Sequence, residues 1–376
     1  MIWKGLYFCM SFYDGEEFVM SRKLFMSVLV LMMSAVLVLS GCNAKKEPKE
    51  ALGSAAIQAL KMDSYVSTNQ IKIVDLTFDA GSSANAEIGA VFSMLKNAEI
   101  NVNQIYQKDP MQTEATLEVK LTGDMSTTIT IPFVMTKEKM FIKIPNIPFL
   151  PMPESVVGKF LVMDLKELAE QSGEEFNPEM FNPEKSQKLA GEVSSAVLAE
   201  YDSATYFKNV ESKDVELPDG YKAKQIVQFS VTNDNVKEAL TILINKALPK
   251  VLDIIGKEEY RTLMNLEPSD IEELKKELQE GNQDELGKAL DEMKDYLKIN
   301  TFTVNTAIDK DNYPSYTDMN MDVEINDPET NQKMKLALQA KSTFSKINEK
   351  PAFTIGIPTD TITMEQFEEE MGGLGY

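Results

Sequence analysis

The sequence predicts an α+β fold, in which a large antiparallel sheet has helices packed on one face. Several segments alternate apolar and polar residues with a period of two, as strands with one buried face do. Along the chain, strands come first, followed by helices, a hairpin, more helices and a final set of strands. The chain has neither a repeat of solenoid length nor a long polar linker, so a single domain is expected.

The first part of the domain should contain one short helix followed by strands. The helix is expected over residues 54–62, where small apolar residues share a face. Alternation and β-branched residues predict strands at residues 71–78, 117–121, 129–135 and 140–144. Turns at 123–124 and 137–138 should join these strands as hairpins, and Pro132 should mark an edge strand or a bulge.

A proline-rich segment, residues 145–153, follows these strands. Its four prolines alternate with apolar residues, so the segment can be neither a helix nor a central strand. We expect a buried or half-buried loop that clamps the sheet edge, and a polyproline segment that binds another protein is the alternative. Helices should follow at residues 154–171 and 183–203.

The middle of the chain should be mainly helical. Extended structure is expected at residues 206–216 and 223–231, joined by a turn at 219–220, and helices at 236–255, 270–279 and 284–297. Residues 233–235 should cap the first of these helices, and Pro249 should kink it. A capping box of Ser269 and Glu272 should open the second.

The last third has the clearest strand pattern. Strands are expected at residues 302–308, 319–325, 334–344 and 353–357. They should form an antiparallel meander with one face in water, because polar residues occupy every second position. A short acidic helix should follow at residues 363–371.

The N-terminal segment has the three parts of a secretory signal peptide. Arg22 and Lys23 form the basic region, and residues 24–39 form an apolar core without a charge. Small residues at 40–41 then precede Cys42, as at a cleavage site. An uncleaved membrane helix is the alternative, but this apolar run is shorter than the roughly 20 residues that a membrane span needs.

The residues Leu39-Ser40-Gly41-Cys42 resemble the lipobox of bacterial lipoprotein signal peptides. The resemblance implies cleavage between Gly41 and Cys42 and a diacylglyceryl group, with palmitate as the expected acyl chain, on the Cys42 thiol. It therefore implies a lipid-anchored protein on the extracytoplasmic face of the cell membrane. The lysines at 45–49 suit an acidic membrane surface.

Four segments follow from this interpretation. Residues 1–19 contain acidic side chains where a signal peptide needs basic ones, so we expect an upstream extension, with translation starting at Met20. Residues 20–41 should be the signal peptide and residues 42–53 a short polar tether. Residues 54–376 should form the domain.

Composition argues against several functions. The formal net charge is −21, and such an acidic surface repels phosphate backbones, so no nucleic-acid partner is expected. The chain has no histidine, and its two cysteines are Cys9, lost with the signal, and Cys42, consumed by lipid. A Ser-His-Asp triad, a Cys-His pair and a histidine or thiolate metal site are thereby excluded. We expect a protein that is not an enzyme and has no cofactor, although hydrolysis by carboxylates stays open.

One acidic segment copies part of a calcium-binding loop. Asp318, Asn320, Asp322 and Glu329 have the spacing of four EF-hand ligands. Val323 stands where the loop needs its turn glycine, and the residues between the acids alternate as a strand does. A strand with a solvated acidic face explains the pattern, so no metal site is expected.

Methionine is abundant, with 22 in the chain. Because this side chain adapts to irregular apolar shapes, one hypothesis is a soft pocket for lipid chains, and ordinary core filling is the alternative. The residues expected to line such a pocket are Phe302, Val304, Met319, Met321, Leu336 and Leu338. The apolar stripe from Val236 to Ile255 should close its other side.

The order of elements in the mature domain resembles that of the LppX/LprG and LolA/LolB lipoproteins. The resemblance begins where a helix leads into a strand, at residues 55–78, and continues to the final meander at residues 299–344. It implies a curved, incomplete barrel with helices over its concave side and acyl chains held between them.

Two functions are consistent with these observations. The first is a membrane-anchored, non-catalytic lipoprotein that binds a lipid or other apolar ligand between sheet and helices. The second is a cell-envelope interaction or scaffold lipoprotein with a filled core. It would meet a protein partner through its acidic surface or through residues 145–153. The same apolar faces would serve both functions.

Overall fold

The structure is a computed structural model that describes residues 45–79, 92, 95–122, 126–147, 152–167, 183–280, 296–326 and 332–372. The expected extension, the signal peptide and Cys42 lie outside the described residues. So do the predicted turn at 123–124, residues 284–295 of a predicted helix, and Glu329.

Strands make up one large sheet. In chain order they are β1 (Ser64–Asp79), β2 (Glu99–Gln107), β3 (Gln112–Leu121), β4 (Thr127–Thr136), β5 (Lys139–Lys143), β6 (Phe160–Asp164), β7 (Phe207–Val210), β8 (Gln225–Ser230), β9 (Leu297–Ile308), β10 (Pro314–Asn326), β11 (Lys333–Ser345) and β12 (Thr361–Thr363). In the described part of the chain these twelve strands have the order β12-β6-β5-β4-β3-β2-β1-β11-β10-β9-β8-β7. Among these twelve described strands, β6 and β12 pair in parallel, and the other neighbours pair antiparallel. The sheet is open between β12 and β7, which confirms the predicted α+β class and the incomplete barrel.

Helices precede, interrupt and follow the strands. They are α1 (Pro48–Ala59), α2 (Pro183–Glu200), α3 (Ser203–Tyr206), α4 (Val236–Ile242), α5 (Leu248–Ile255), α6 (Glu258–Leu263), α7 (Pro268–Glu280) and α8 (Met364–Gly372). Helix α1 begins six residues before its predicted start at Ser54, with a proline in its first turn, a position that needs no backbone N–H. The cap of α7 also differs from the prediction, because the Asp270 carboxylate accepts the Glu267 N–H at 3.0 Å.

The predicted kink at Pro249 takes the form of a π-helical turn. Residues Leu243–Ala247 form this turn between α4 and α5, and Pro249 stands in the first turn of α5. Pro249 has no backbone N–H to donate to the preceding turn. The wider π-helical turn fits the proline ring without that hydrogen bond.

Alternation gives the sheet two chemically different faces. On β10, Met321 lies opposite Phe302 and Leu338, whereas its neighbour Asn320 lies opposite Thr303 and Gln339. We call the side of Met321 the apolar face and the side of Asn320 the polar face. Central members of the apolar face are Ile71, Ile73, Ile100, Val102, Leu117, Val119, Ile129, Ile131, Phe302, Val304, Met319, Met321, Leu336, Leu338 and Ala340.

Irregular pairing curves the sheet. The β1–β11 register shifts between Ile73 and Asp75, and the β9–β10 register shifts between Asp322 and Val323. Such bulges bend a strand and increase its twist, which supports the curvature expected for an incomplete barrel.

Helices cover the apolar face at the β7–β8 end. Val227 and Ile308, which lie on this face, are 0% and 2% exposed. They share a core with small residues of α1, with Ala239 and Ile242 of α4, and with an aromatic group. In that group the rings of Tyr201 and Phe229 meet edge to face, 5.3 Å apart. The main core therefore lies between α1, α4 and one end of the sheet.

The stripe from Val236 to Ile255 does not face the sheet along its whole length. Its first part, on α4, packs toward the sheet. Its second part, Val251 and Ile255 of α5, packs against Val193 of α2 and Ile271 of α7. The expectation that the whole stripe closes a pocket is therefore wrong for α5, which forms a core between helices.

Two predicted elements differ in type. Residues 160–164 form strand β6 within the predicted helix at 154–171, because this apolar run pairs with β5 on one side and β12 on the other. The predicted strand at 353–357 is irregular, and the last strand is β12, with Ile362 buried against Ile144 and Val156. Residues 152–153 of the proline-rich segment are half-buried beside this small core.

Candidate ligand-binding face

The six residues expected to line a pocket all lie on the apolar face. Met319 is opposite Val304, Met321 is opposite Phe302 and Leu338, and Leu336 is opposite Val323. Directly opposed residues share a face, and residues two apart on a strand do as well. The structure therefore brings the predicted residues together as one patch on β9, β10 and β11.

The patch continues far beyond the predicted residues. One cross-strand row runs through eight strands, from β8 to β4, and consists of Phe229, Val304, Met319, Ala340, Ile71, Ile100, Val119 and Ile129. A second row, one step along the strands, contains Phe302, Met321, Leu338 and Ile73. An apolar surface of this extent is a candidate binding surface for an apolar ligand.

Burial differs between the two ends of this surface. At the β7–β8 end, beneath α1 and α4, Phe207, Val227 and Ile308 are buried. Across β10, β11, β1, β2, β3 and β4, the side chains of both rows are half-buried. The middle of the apolar face is thus partly accessible within the described part of the chain.

An aromatic group borders the accessible region at one end of β1. Tyr65 contacts Tyr106 and Phe344, with ring centroids 5.1 and 5.2 Å apart. Burial, and to a smaller extent the neighbouring Tyr106, raises the pKa of Tyr65 to about 12. This phenol is therefore neutral at physiological pH and acts as an amphipathic wall.

The polar face consists of hydrogen-bonded amides and carboxylates. Asn305 Nδ2 donates to Asp318 Oδ2 at 3.1 Å, and Asn320 Nδ2 donates to Asp318 Oδ1 at 2.8 Å. Both oxygens of Asp318 therefore already accept side-chain amides, in the middle of a continuous strand. The strand interpretation of this acidic segment is confirmed. Among the described residues, no group of three or more Asp, Glu or Cys side chains could hold a metal ion.

Glu114 is a buried carboxylate that the sequence did not reveal. It is 2% exposed on β3. Its Oε2 accepts the N–H groups of Thr354 (2.7 Å) and Ile355 (2.9 Å), and its Oε1 accepts that of Gly356 (2.6 Å). These donors lie in the irregular segment where a strand was predicted. All three N–H groups donate to the Glu114 carboxylate. This carboxylate therefore holds residues 354–356 against the polar face of the sheet.

The described ranges contain no helix with the length and apolar character needed to cross a membrane. The described part of the chain has an α+β fold, whose open sheet has one polar and one apolar face, with helices over one end of the apolar face.

Part of this fold matches a known family. Residues 256–364 match DUF6612, a family of unknown function. The matched residues begin after α5 and include β9, β10, β11 and β12, so they cover part of the candidate surface and less than half of the chain. Neither the curated proteins nor the solved structures contain a match.

Proposed function

We propose that this protein is a non-catalytic lipoprotein, anchored through Cys42 on the extracytoplasmic face of the cell membrane, that binds a lipid or other apolar ligand on its apolar face. The observation that supports the proposal best is the half-buried apolar surface across β10, β11, β1, β2, β3 and β4. A surface of this kind in contact with water is costly, at about 25 cal/mol per Å², and a bound acyl chain would remove that cost.

The chemistry of the surface favours an apolar ligand over a polar substrate. Side chains of both rows are aliphatic, methionine or phenylalanine, and they offer no group for acid–base or nucleophilic chemistry. Met319 and Met321 at its centre can adapt to flexible chains. The carboxylates Asp318 and Glu114 point to the opposite face and are already hydrogen-bonded.

Lipidation is tested by the substitution Cys42→Ala. The lipobox residues 39–42 support attachment of the anchor at this thiol. We expect the wild-type chain, extracted from membranes, to begin at residue 42 with the added mass of a diacylglyceryl group, and the variant to lack both the cleavage and the added mass. An unmodified wild-type N-terminus would contradict the anchor, since stable anchoring needs about two acyl chains.

Ligand binding is tested by the substitution Met321→Lys. Met321 lies in the middle of the apolar surface, between Phe302 and Leu338. A lysine there would place a charge beside an acyl chain, so we expect affinity for a long-chain fluorescent fatty acid to fall at least about tenfold, or about 1.4 kcal/mol. The measurement is a titration of the chain from residue 45 onward, stripped of co-purified lipid.

The matched control is Asn320→Lys. Asn320 is the preceding residue on the same strand, but it lies on the polar face beside Asp318. We expect this variant to bind the fatty acid as the wild type does. Equal losses in both variants, or no saturable binding to the wild type, would count against a ligand on the apolar face and favour the interaction or scaffold function.

A further inference from the structure

The connection between the lipid anchor and the folded domain is very short. Lys46, four residues after Cys42, is bonded to the sheet through both backbone groups. Its N–H donates to Gln225 Oε1 at 3.2 Å, and its carbonyl accepts from Gln225 Nε2 at 2.8 Å. An extended chain spans at most about 3.6 Å per residue, so this connection can reach no farther than roughly 14 Å.

Side-chain contacts keep the connection from lengthening. Lys49 Nζ donates to the carbonyls of Ala199 and Tyr201, each at 2.7 Å, at the end of α2. Ala51 and Leu52, in the first half of α1, are 1% and 4% exposed. Unwinding α1 to gain reach would break these bonds and expose the side chains to water, so α1 should stay folded while the anchor is in the membrane.

The bonds of Gln225 place the anchor beside one edge of the sheet. Gln225 begins β8, and its Nε2 also donates to Asn209 Oδ1 at 2.8 Å. Asn209 belongs to β7, the last strand at this edge. We call Lys45, Lys46, Lys208, Asn209 and Gln225 the anchor corner.

We propose that the anchor corner faces the membrane and contacts its lipid headgroups. This inference rests on the proposed lipidation of Cys42. With a reach of roughly 14 Å, the anchor corner cannot leave the membrane surface by much more than the width of one helix.

Charge favours the same orientation. The chain has a net charge of −21, so a broad side of the domain is repelled by anionic lipid. Lys45 is exposed next to Lys46, and Lys208 is exposed on the edge strand β7, where it lies opposite Gln228 on the polar face, across the strand from Asn209. Contact through the anchor corner places these cations at the headgroups and keeps the acidic body in solution.

The orientation can be measured with two single-cysteine variants of the full-length lipidated protein, Lys208→Cys and Lys139→Cys. The wild-type chain has only Cys9, removed with the signal, and Cys42, so each new thiol is labelled uniquely. Both positions are exposed lysines in strands. Lys139 lies on β5, nine positions from β7 in the strand order, and so it does not belong to the anchor corner.

Each variant is labelled with a fluorophore and reconstituted in vesicles of phosphatidylglycerol and phosphatidylcholine that contain a headgroup-attached quencher. We expect several-fold stronger quenching at residue 208 than at residue 139. The mass of each protein first shows whether the lipid is attached. If it is attached, equal quenching at the two positions, or stronger quenching at residue 139, would overturn the proposed orientation but not the anchor. Absence of the lipid mass would overturn the anchor and this inference together, whereas fatty-acid binding is tested separately.

Discussion

Replacing Glu114 by alanine should destabilise the folded domain by about 3 kcal/mol, because three backbone N–H groups lose a charged acceptor. Hydrogen bonds to charged groups contribute about 1.5–3 kcal/mol each, and water can satisfy part of the released donors because Thr354 is exposed. The change in the free energy of unfolding can be measured by urea denaturation, with hydrogen exchange at residues 354–356 as a local measurement.

Glutamine at position 114 should not restore the stability that the alanine variant loses. Both oxygens of Glu114 accept backbone N–H groups, Oε2 from Thr354 and Ile355 and Oε1 from Gly356. An amide must point its NH₂ group at one of these donors whichever way it turns, so Glu114→Gln should be nearly as destabilising as Glu114→Ala. A wild-type stability of Glu114→Gln would show that the C-terminal segment is not held by this carboxylate.

The matched control is Glu118→Gln. Glu118 lies four residues later on the same strand and the same face, and its side chain is 33% exposed. Its Oε1 accepts from Asn101 Nδ2 at 3.3 Å and pairs with Lys120 at 3.0 Å. Exposed pairs contribute only about 0–1 kcal/mol, so this variant should remain close to the wild type.

Local pattern was sufficient to predict the strands with one polar face. Strands β3, β4, β9, β10 and β11 alternate clearly, because every second residue contacts water or other polar groups. Two strands did not follow this rule. β2 is rich in Asn and Gln, and it pairs partly through side-chain amides such as Asn101 with Gln70 at 3.2 Å. β6 is a short apolar run, whose pattern is equally typical of a buried helix.

Contacts between distant parts of the chain explain what the sequence could not predict about the candidate site. The six residues on β9, β10 and β11 follow from period-two alternation, because these strands are consecutive. The extension of the patch depends on the pairing of β1 with β11, which brings Ile73 opposite Leu338. The partner of Glu114 lies 240 residues away at Thr354, and no local pattern at Glu114 distinguishes it from its solvated neighbours.

Raising the pH above 10 should unfold the domain cooperatively, because several buried tyrosines cannot ionise while it is folded. Burial, followed by the effect of Glu238, raises the pKa of Tyr206 to about 12. Burial also raises the pKa of Tyr221 to about 12, and it raises the pKa of Tyr201, Tyr260 and Tyr316 above the usual range. These five tyrosines must therefore all stay neutral while the domain is folded.

The direction of the pH effect follows from linkage. Each raised pKa leaves stability unchanged below about pH 10, the value for a tyrosine in the unfolded chain, because both states are then protonated. Between pH 10 and 12 the unfolded chain loses protons that the folded domain keeps, so stability falls. A two-unit difference is worth about 2.7 kcal/mol per tyrosine, and a few such groups exceed the total stability of an ordinary domain.

The transition can be followed by tyrosinate absorbance and far-ultraviolet circular dichroism in the same pH titration. We expect both signals to change together in one steep step between pH 10 and 12. In Tyr206→Phe, the step should move to higher pH, while stability at pH 7 falls, because the variant loses the contacts of the hydroxyl with the Asn235 carbonyl at 3.5 Å and with the Glu238 side chain. Gradual titration of all tyrosines near pH 10 with the circular dichroism unchanged would contradict their burial, since exposed phenols ionise without unfolding the domain.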